Sequence, residues 1–304
     1  MNHRSNLVGI VVIAALLSFS AVRLQASDAE GSFDRTLKVS ATVDLDVVTG
    51  SGNIKVSQGA AGTVHVRGHI KGRSHDAASK VRALEANPPV EQSGNRVRIG
   101  HIEDPELRRD VSISYEVEVP ADTRLHAQTG SGDETITGIT GPLNLNTGSG
   151  NLAATGGSDV RANTGSGEIR LASLRGSVVA NTGSGNVRIE QSSLTEVKIN
   201  TGSGDVVAEG VRGPLKVATG SGDIRVEGMP TGDWKLEAGS GSIHVRLPAD
   251  AAFDFYAHTG SGRIDSQHPI TMTGSLDRHE LRGKVNGGGA LLQARTGSGN
   301  INIQ

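Results

Sequence analysis

Four residues, Thr-Gly-Ser-Gly, recur nine times in this 304-residue chain, beginning at Thr49, Thr129, Thr147, Thr164, Thr182, Thr201, Thr219, Thr259 and Thr296, and an Ala-Gly-Ser-Gly variant begins at Ala238. From Thr129 to Ala238 successive motifs are 17 to 19 residues apart. A unit that short cannot enclose a core of its own, so copies must stack and share one. The expected class is therefore all-β: a repetitive β-solenoid with about 18 residues per coil, turned at each motif. Parallel strands joined within one sheet connect right-handedly in nearly all cases, which makes a right-handed parallel β-helix the expected form.

Between motifs the side chains alternate with period two, as in strands with one buried face. Aligning the coils puts Leu143, Val160, Val178, Val197, Leu215 and Trp234 in one apolar column and Leu145, Ala162, Ala180, Ile199, Val217 and Leu236 in a second. After the motif, Leu152, Ile169, Val187, Val206, Ile224 and Ile243 form a third, and Ala154, Leu171, Ile189, Ala208, Val226 and Val245 a fourth. Leu174, Leu194, Val211, Met229 and Leu247 read as a further apolar position closing each coil. The intervening positions are polar, with Arg161, Lys198, Lys216 and Lys235 on one strand and Arg170, Arg188 and Arg225 on the other.

The corner residues are structural candidates. They are Thr129-Gly130-Ser131-Gly132, Thr147-Gly148-Ser149-Gly150, Thr164-Gly165-Ser166-Gly167, Thr182-Gly183-Ser184-Gly185, Thr201-Gly202-Ser203-Gly204 and Thr219-Gly220-Ser221-Gly222. Glycine allows positive φ at a tight corner. Thr falls on the inward parity, where its hydroxyl can satisfy turn backbone. Asn146, Asn163, Asn181 and Asn200 precede the motif and predict an amide ladder between coils. The interval from Thr259 to Thr296 is about twice the repeat, which predicts a coil that has lost its motif around Gly287-Gly288-Gly289.

Composition supports repetition over a layered core, because the chain has 42 Gly and aromatic residues make up 2%. Net charge is -2 and the charges alternate in sign along the chain, so counting predicts no basic stripe and no nucleic-acid partner. Cysteine is absent, which excludes a lipobox anchor and any disulfide. His3 and Arg4, the apolar run Leu7 to Val22 and the small residues Ala26 and Ser27 predict a signal peptide over 1–26. The protein is then exported, to the periplasm, the cell surface or the medium, with no integral membrane segment after processing. Residues 27–126 read as a β-rich N-terminal cap, with a short helix near 76–86 lying over the first coil and strands at 96–99 and 111–119. Residues 127–304 read as the solenoid, closed by Phe253, Phe255 and Tyr256.

The run Val111-Ser112-Ile113-Ser114-Tyr115-Glu116-Val117-Glu118-Val119-Pro120, leading to Leu125 and then to repeated Thr-Gly-Ser-Gly-Asp/Asn-Ile/Val units, resembles the bacterial "putative adhesin" domain of unknown function with β-strand repeats. The resemblance extends from about Phe33 onward. It implies an exported or envelope-associated β-helical protein and carries no catalytic residues with it.

No catalytic constellation, cofactor site or metal site is expected. Asn53, Asp133, Asn151, Glu168, Asn186, Asp205, Asp223 and Asn300 follow the corners and could line up oxygens for Ca²⁺. The acid follows the last Gly directly, however, and Ser242 and Arg263 interrupt the series, so turn stabilisation is the expected role. Asp205 and Asp223 are stacked neighbours without a cleft for acid/base work. His65 and His69 would lie about 13 Å apart on an extended strand, too far to share a metal. The expected function is a non-enzymatic adhesin or envelope-associated binding or structural protein, whose partner is an envelope or surface component, glycan or protein. The alternative is a carbohydrate-binding or carbohydrate-active β-helix.

Overall fold

The computed structural model describes residues 28–40, 42–272 and 278–304. The segment expected to be a signal peptide, residues 1–26, lies outside these residues. No helix among the described residues is long and apolar enough to cross a membrane.

Two long sheets, of 13 and 14 strands, run the length of the molecule and close on one core. Each coil contributes one strand to each sheet. The strand leading into the motif lies in the 14-stranded sheet, as Leu143–Ser149 does, and the strand trailing out lies in the 13-stranded sheet, as Leu152–Gly156 does. Neighbouring coils pair in parallel with their motifs in register, Thr129 on Thr147, Thr147 on Thr164, and so on to Thr219 on Ala238. All four central columns are buried. The closing position is not uniform, since Leu174, Val211 and Leu247 are buried whereas Leu194 is 63% exposed. Gln191 takes over there. Its amide nitrogen donates to Gly176 O and Thr195 Oγ1 beneath the exposed leucine.

The Thr49 coil belongs to the same stack. Its leading strand, Asp44–Ser51, pairs with Arg124–Ser131 so that Thr49 meets Thr129, and its trailing strand, Ile54–Gln58, pairs with Glu134–Ile139. The residues between these two coils leave the stack and return as its end. Arg96–Ile99 and Val111–Val119 add parallel strands to the two sheets outside the Thr49 coil. Thr63–Gly72 and Ala29–Lys38 extend the 13-stranded sheet in antiparallel fashion. The helix Ala77–Ala86 buries Ala77, Val81 and Leu84, as the 76–86 spacing predicts. It packs on the two antiparallel strands and not over the Thr49 coil.

At the other end the expected lost coil does not exist. The strand Ala290–Ser298 inserts between Trp234–Ser240 and Phe253–Ser261, pairing in parallel with both. Ile301–Ile303 does the same in the 13-stranded sheet, between Ile243–Arg246 and Ile264–Ser266. The last coil in sequence is thus next to last in space. The interval that reads as two coils is an antiparallel excursion through Ile270–Met272 and Glu280–Val285. Gly287 and Gly288, both at φ 90°, turn it back into the stack.

One core position departs from the apolar pattern. Glu134 sits in the third column between Ile54 and Leu152, is fully buried, and has no hydrogen-bond partner on either carboxylate oxygen. Burial pushes its carboxyl up to about 9, opposed only weakly by the nearby backbone at Asn146 and Thr129, which makes no hydrogen bond to it. The period-two pattern already places this residue inward, one step past the corner residue Asp133.

Candidate functional site

The corners form the best-defined constellation in the sequence, and their threonine hydroxyls are already committed to backbone. Every corner threonine is buried, and all but Thr49 donate the hydroxyl to the last corner glycine of the neighbouring coil: Thr147 Oγ1 to Gly132 O at 3.0 Å, Thr164 to Gly150 O at 3.0 Å, Thr201 to Gly185 O at 3.0 Å, whereas Thr49 donates to Ile113 O at 2.8 Å. The first glycine needs its missing Cβ for close approach and not for φ, because a Cβ on Gly148 would lie 2.5 Å from Gly130 O. The last glycine combines both needs in several coils, as at Gly204, where φ is +151° and a Cβ would lie 2.1 Å from Gly185 O.

The post-corner side chains cap the next coil. Asn186 Oδ1 accepts from Asp205 N at 2.8 Å, Asp205 Oδ1 from Asp223 N at 2.8 Å, and Asp223 Oδ1 from Ser242 N at 2.9 Å. Asp205 and Asp223 therefore spend an oxygen each on turn backbone. No group of three or more His, Asp or Glu side chains among the described residues is arranged to hold a metal ion.

Two further polar rows, not engaged by corner backbone, face outward from the 14-stranded sheet. Asn163 Nδ2 donates to Asn146 Oδ1 at 2.9 Å, Asn181 to Asn163 at 2.8 Å and Asn200 to Asn181 at 2.9 Å, so the predicted amide ladder exists. Beside it, two residues earlier in each strand, in-register pairing lines up Arg161, Val179, Lys198, Lys216, Lys235, Gln293, Tyr256 and Arg282. Alignment of the coils already sets Arg161, Lys198, Lys216 and Lys235 at one position, whereas Gln293, Tyr256 and Arg282 join the row only through strand pairing. Glu196 forks between Lys198 at 3.0 Å and Lys216 at 3.1 Å, and Lys235 pairs with Glu237 at 2.9 Å. Hydrogen bonds from Lys198 first and Lys216 second hold the Glu196 carboxyl below its ordinary value.

The row ends in a hollow of about 400 Å³ lined by Tyr256, Arg282, Lys284, Gln293, Arg295 and Asp254 among others. The guanidiniums of Arg282 and Arg295 lie 4.6 and 5.1 Å from the Tyr256 ring centroid. Contact with Tyr256, then the Glu280 carboxylate, raises the Arg282 guanidinium above its ordinary value. Gln293, with its amide oxygen toward Arg295, accepts from Nε at 3.1 Å and Nη2 at 2.9 Å. Tyr256 thus faces outward while Phe253 and Phe255 close the core. At the opposite end of the sheet a second groove, of about 520 Å³, lies over Asp44, Asp46, Arg124 and His126. Its carboxylates are paired, Asp44 with Arg124 at 2.9 Å and Asp46 with His101 at 3.0 Å.

Fold and surface together define a two-sheet parallel β-stack of the solenoid kind, with polar ladders on its faces. The chain belongs to the Toastrack DUF4097 family, whose model matches residues 21–304. The resemblance carried by the strand and corner pattern is met at that level. Among solved structures, a "putative adhesin" from Bacteroides fragilis is 15% identical, with 90% of this chain and 97% of that chain covered and a TM-score of 0.42. A "putative adhesin" from Parabacteroides distasonis is 12% identical over 90% and 97%, with a TM-score of 0.49. A "putative lipid binding protein" from the same organism is 16% identical over 90% and 96%, with a TM-score of 0.39. No curated protein matches the chain.

Proposed function

We propose that this is an exported, non-enzymatic binding protein of the cell envelope, adhesin-like in role. Its working part is an extended polar sheet face carried on a right-handed solenoid of about 18 residues per coil. The observation that carries this reading is the division of labour among polar groups. The corner threonine hydroxyls and one oxygen of each post-corner Asp are consumed by backbone, whereas the amide and cation rows of the 14-stranded sheet face solvent. A rigid periodic face suits an extended partner, since donors recur on neighbouring coils, Asn146 to Asn200 in one row and Lys198 to Lys235 in the other, one strand spacing, about 4.8 Å, apart. Export is supported by the amino-terminal run ending near Ala26.

The decisive experiment combines cell fractionation, amino-terminal sequencing, a glycan array and pulldown from envelope extracts. Processing near Ala26, recovery outside the cytoplasm and capture of an envelope glycan or protein are the expected results. Retention of Met1 in a cytoplasmic fraction, or release of reducing ends from envelope polysaccharide by the purified protein, would overturn the reading.

A further inference from the structure

We propose that the outward face of the 14-stranded sheet binds a linear, carboxylate-bearing polysaccharide, seated at one end in the hollow around Tyr256 and followed along its length by the lysine row. The proposal rests on the reading of the protein as an exported binding protein and names its ligand class.

The hollow is electropositive by composition: Arg282, Lys284 and Arg295 line it against one carboxylate, Asp254. Glu280 engages Arg282 from the edge at 2.8 Å, but among the described residues Arg295 has no carboxylate within ion-pair distance. A guanidinium presents a planar fork that matches a carboxylate through two parallel hydrogen bonds. Both forks are pre-positioned here by their contacts with the Tyr256 ring, which lowers the ordering cost of binding.

From the hollow the row continues through Lys235, Lys216 and Lys198, one cation per coil at a spacing of about 4.8 Å. At the Lys198 end of this row Asn200 uses one N–H in the ladder, and Asn181 one N–H and one lone pair. An amide has a second donor and a second acceptor site, so these groups can still meet sugar hydroxyls. Regularly spaced cations beside hydroxyl-matching amides complement a polymer that repeats both features. Glu196 and Glu237 lie on the same face and disfavour a ligand as densely charged as a phosphodiester chain.

The test is binding of the full chain to polygalacturonate, with its methyl ester, single-stranded DNA and phosphatidylglycerol vesicles as competing arms. Removing three cations from the row, as Lys198→Gln, Lys216→Gln and Lys235→Gln together, should weaken polygalacturonate binding about tenfold, and Arg295→Gln alone about threefold. An equal charge change on the other sheet, Arg170→Gln, Arg188→Gln and Arg225→Gln, should cost less than about twofold. The methyl ester should not bind, and added salt should weaken the acid form. Melting curves establish that each variant is folded, and Arg295→Gln decides the matter if the triple variant is not. Equal losses on both faces, equal affinity for the methyl ester, or tighter binding to DNA or vesicles would overturn the proposal. If polygalacturonate fails while the glycan array or pulldown yields another ligand, this proposal falls alone. If those also yield nothing, the broader reading falls with it.

Discussion

Glu134 carries the clearest pH consequence of any single residue. Its folded carboxyl titrates at about 9 against 4.5 for the ordinary group, so the folded state holds a proton that the unfolded state releases. Stability is therefore greatest below about pH 4.5 as far as this group is concerned, and is lost as pH rises toward 9. Near neutrality the penalty is a few kcal/mol in order of magnitude. Glu134→Leu, which continues the column between Ile54 and Leu152, should raise stability at pH 8 by about 2–3 kcal/mol and change it little at pH 4. Denaturant melts at both pH values check this, and a variant less stable than the parent at pH 8 would show that the carboxylate has a partner.

The post-corner acids make the opposite kind of prediction. Asp205→Asn with Asp223→Asn keeps both acceptors for the next coil's N–H and should change stability by less than about 0.5 kcal/mol, whereas the two alanines should each cost about 1 kcal/mol. Calcium should leave the melting temperature of the parent unchanged. A rise of many degrees would mean that the stacked oxygens hold an ion.

At the scale of the coil, the corner is a unit of backbone contact between neighbours, and its two ends behave differently. Gly50 opens the stack and a Cβ there meets nothing within 4 Å, whereas the equivalent Gly148 lies against Gly130 O. Gly50→Ala should be neutral or stabilising by about 0.5 kcal/mol through the unfolded chain, and Gly148→Ala should cost several kcal/mol or unfold the stack locally. Similar melting temperatures for the two would remove close approach as the reason for the glycine. Ala238 is the one corner residue that lacks the hydroxyl, so Ala238→Thr should supply the missing bond to Gly222 O and add about 1 kcal/mol. The alternation within a strand is equally testable. Val197 and Ile199 are fully buried, and changing either to Asp should cost several kcal/mol and direct proteolysis to the segment near Thr201. Lys198→Asp faces Glu196 on the surface and should cost no more than about 1 kcal/mol, which the same melts would read.

At the scale of the whole molecule, the inserted last coil predicts an unusual pattern of protection. Ala294 and Ile301 lie in strands paired on both sides, and both are fully buried. Their amides should exchange as slowly as that of Val217 in mid-stack, and hydrogen exchange followed by mass spectrometry measures the difference. Rapid exchange across residues 290–304 would show that the insertion is open in solution.

Much of this architecture is legible in the sequence because it is local. The corner motif sets where the chain turns, the period of two sets which side chains go inward, and the 17 to 19 residue spacing sets which residues share a column. The inward threonines, the Asn146 to Asn200 ladder, the helix over Ala77–Ala86 and the strands at 96–99 and 111–119 all follow from these short-range signals. What the tertiary structure alone decides is adjacency. A Thr-Gly-Ser-Gly corner docks equally well on any other, so the repeat specifies register but not which coil lies next to which. The Thr296 coil could therefore pass between the Ala238 and Thr259 coils, and the Thr49 coil could meet Thr129 across a long intervening segment. The cationic row ending at Tyr256 exists only as a product of that stacking, since its members become neighbours by pairing between strands and never by proximity along the chain.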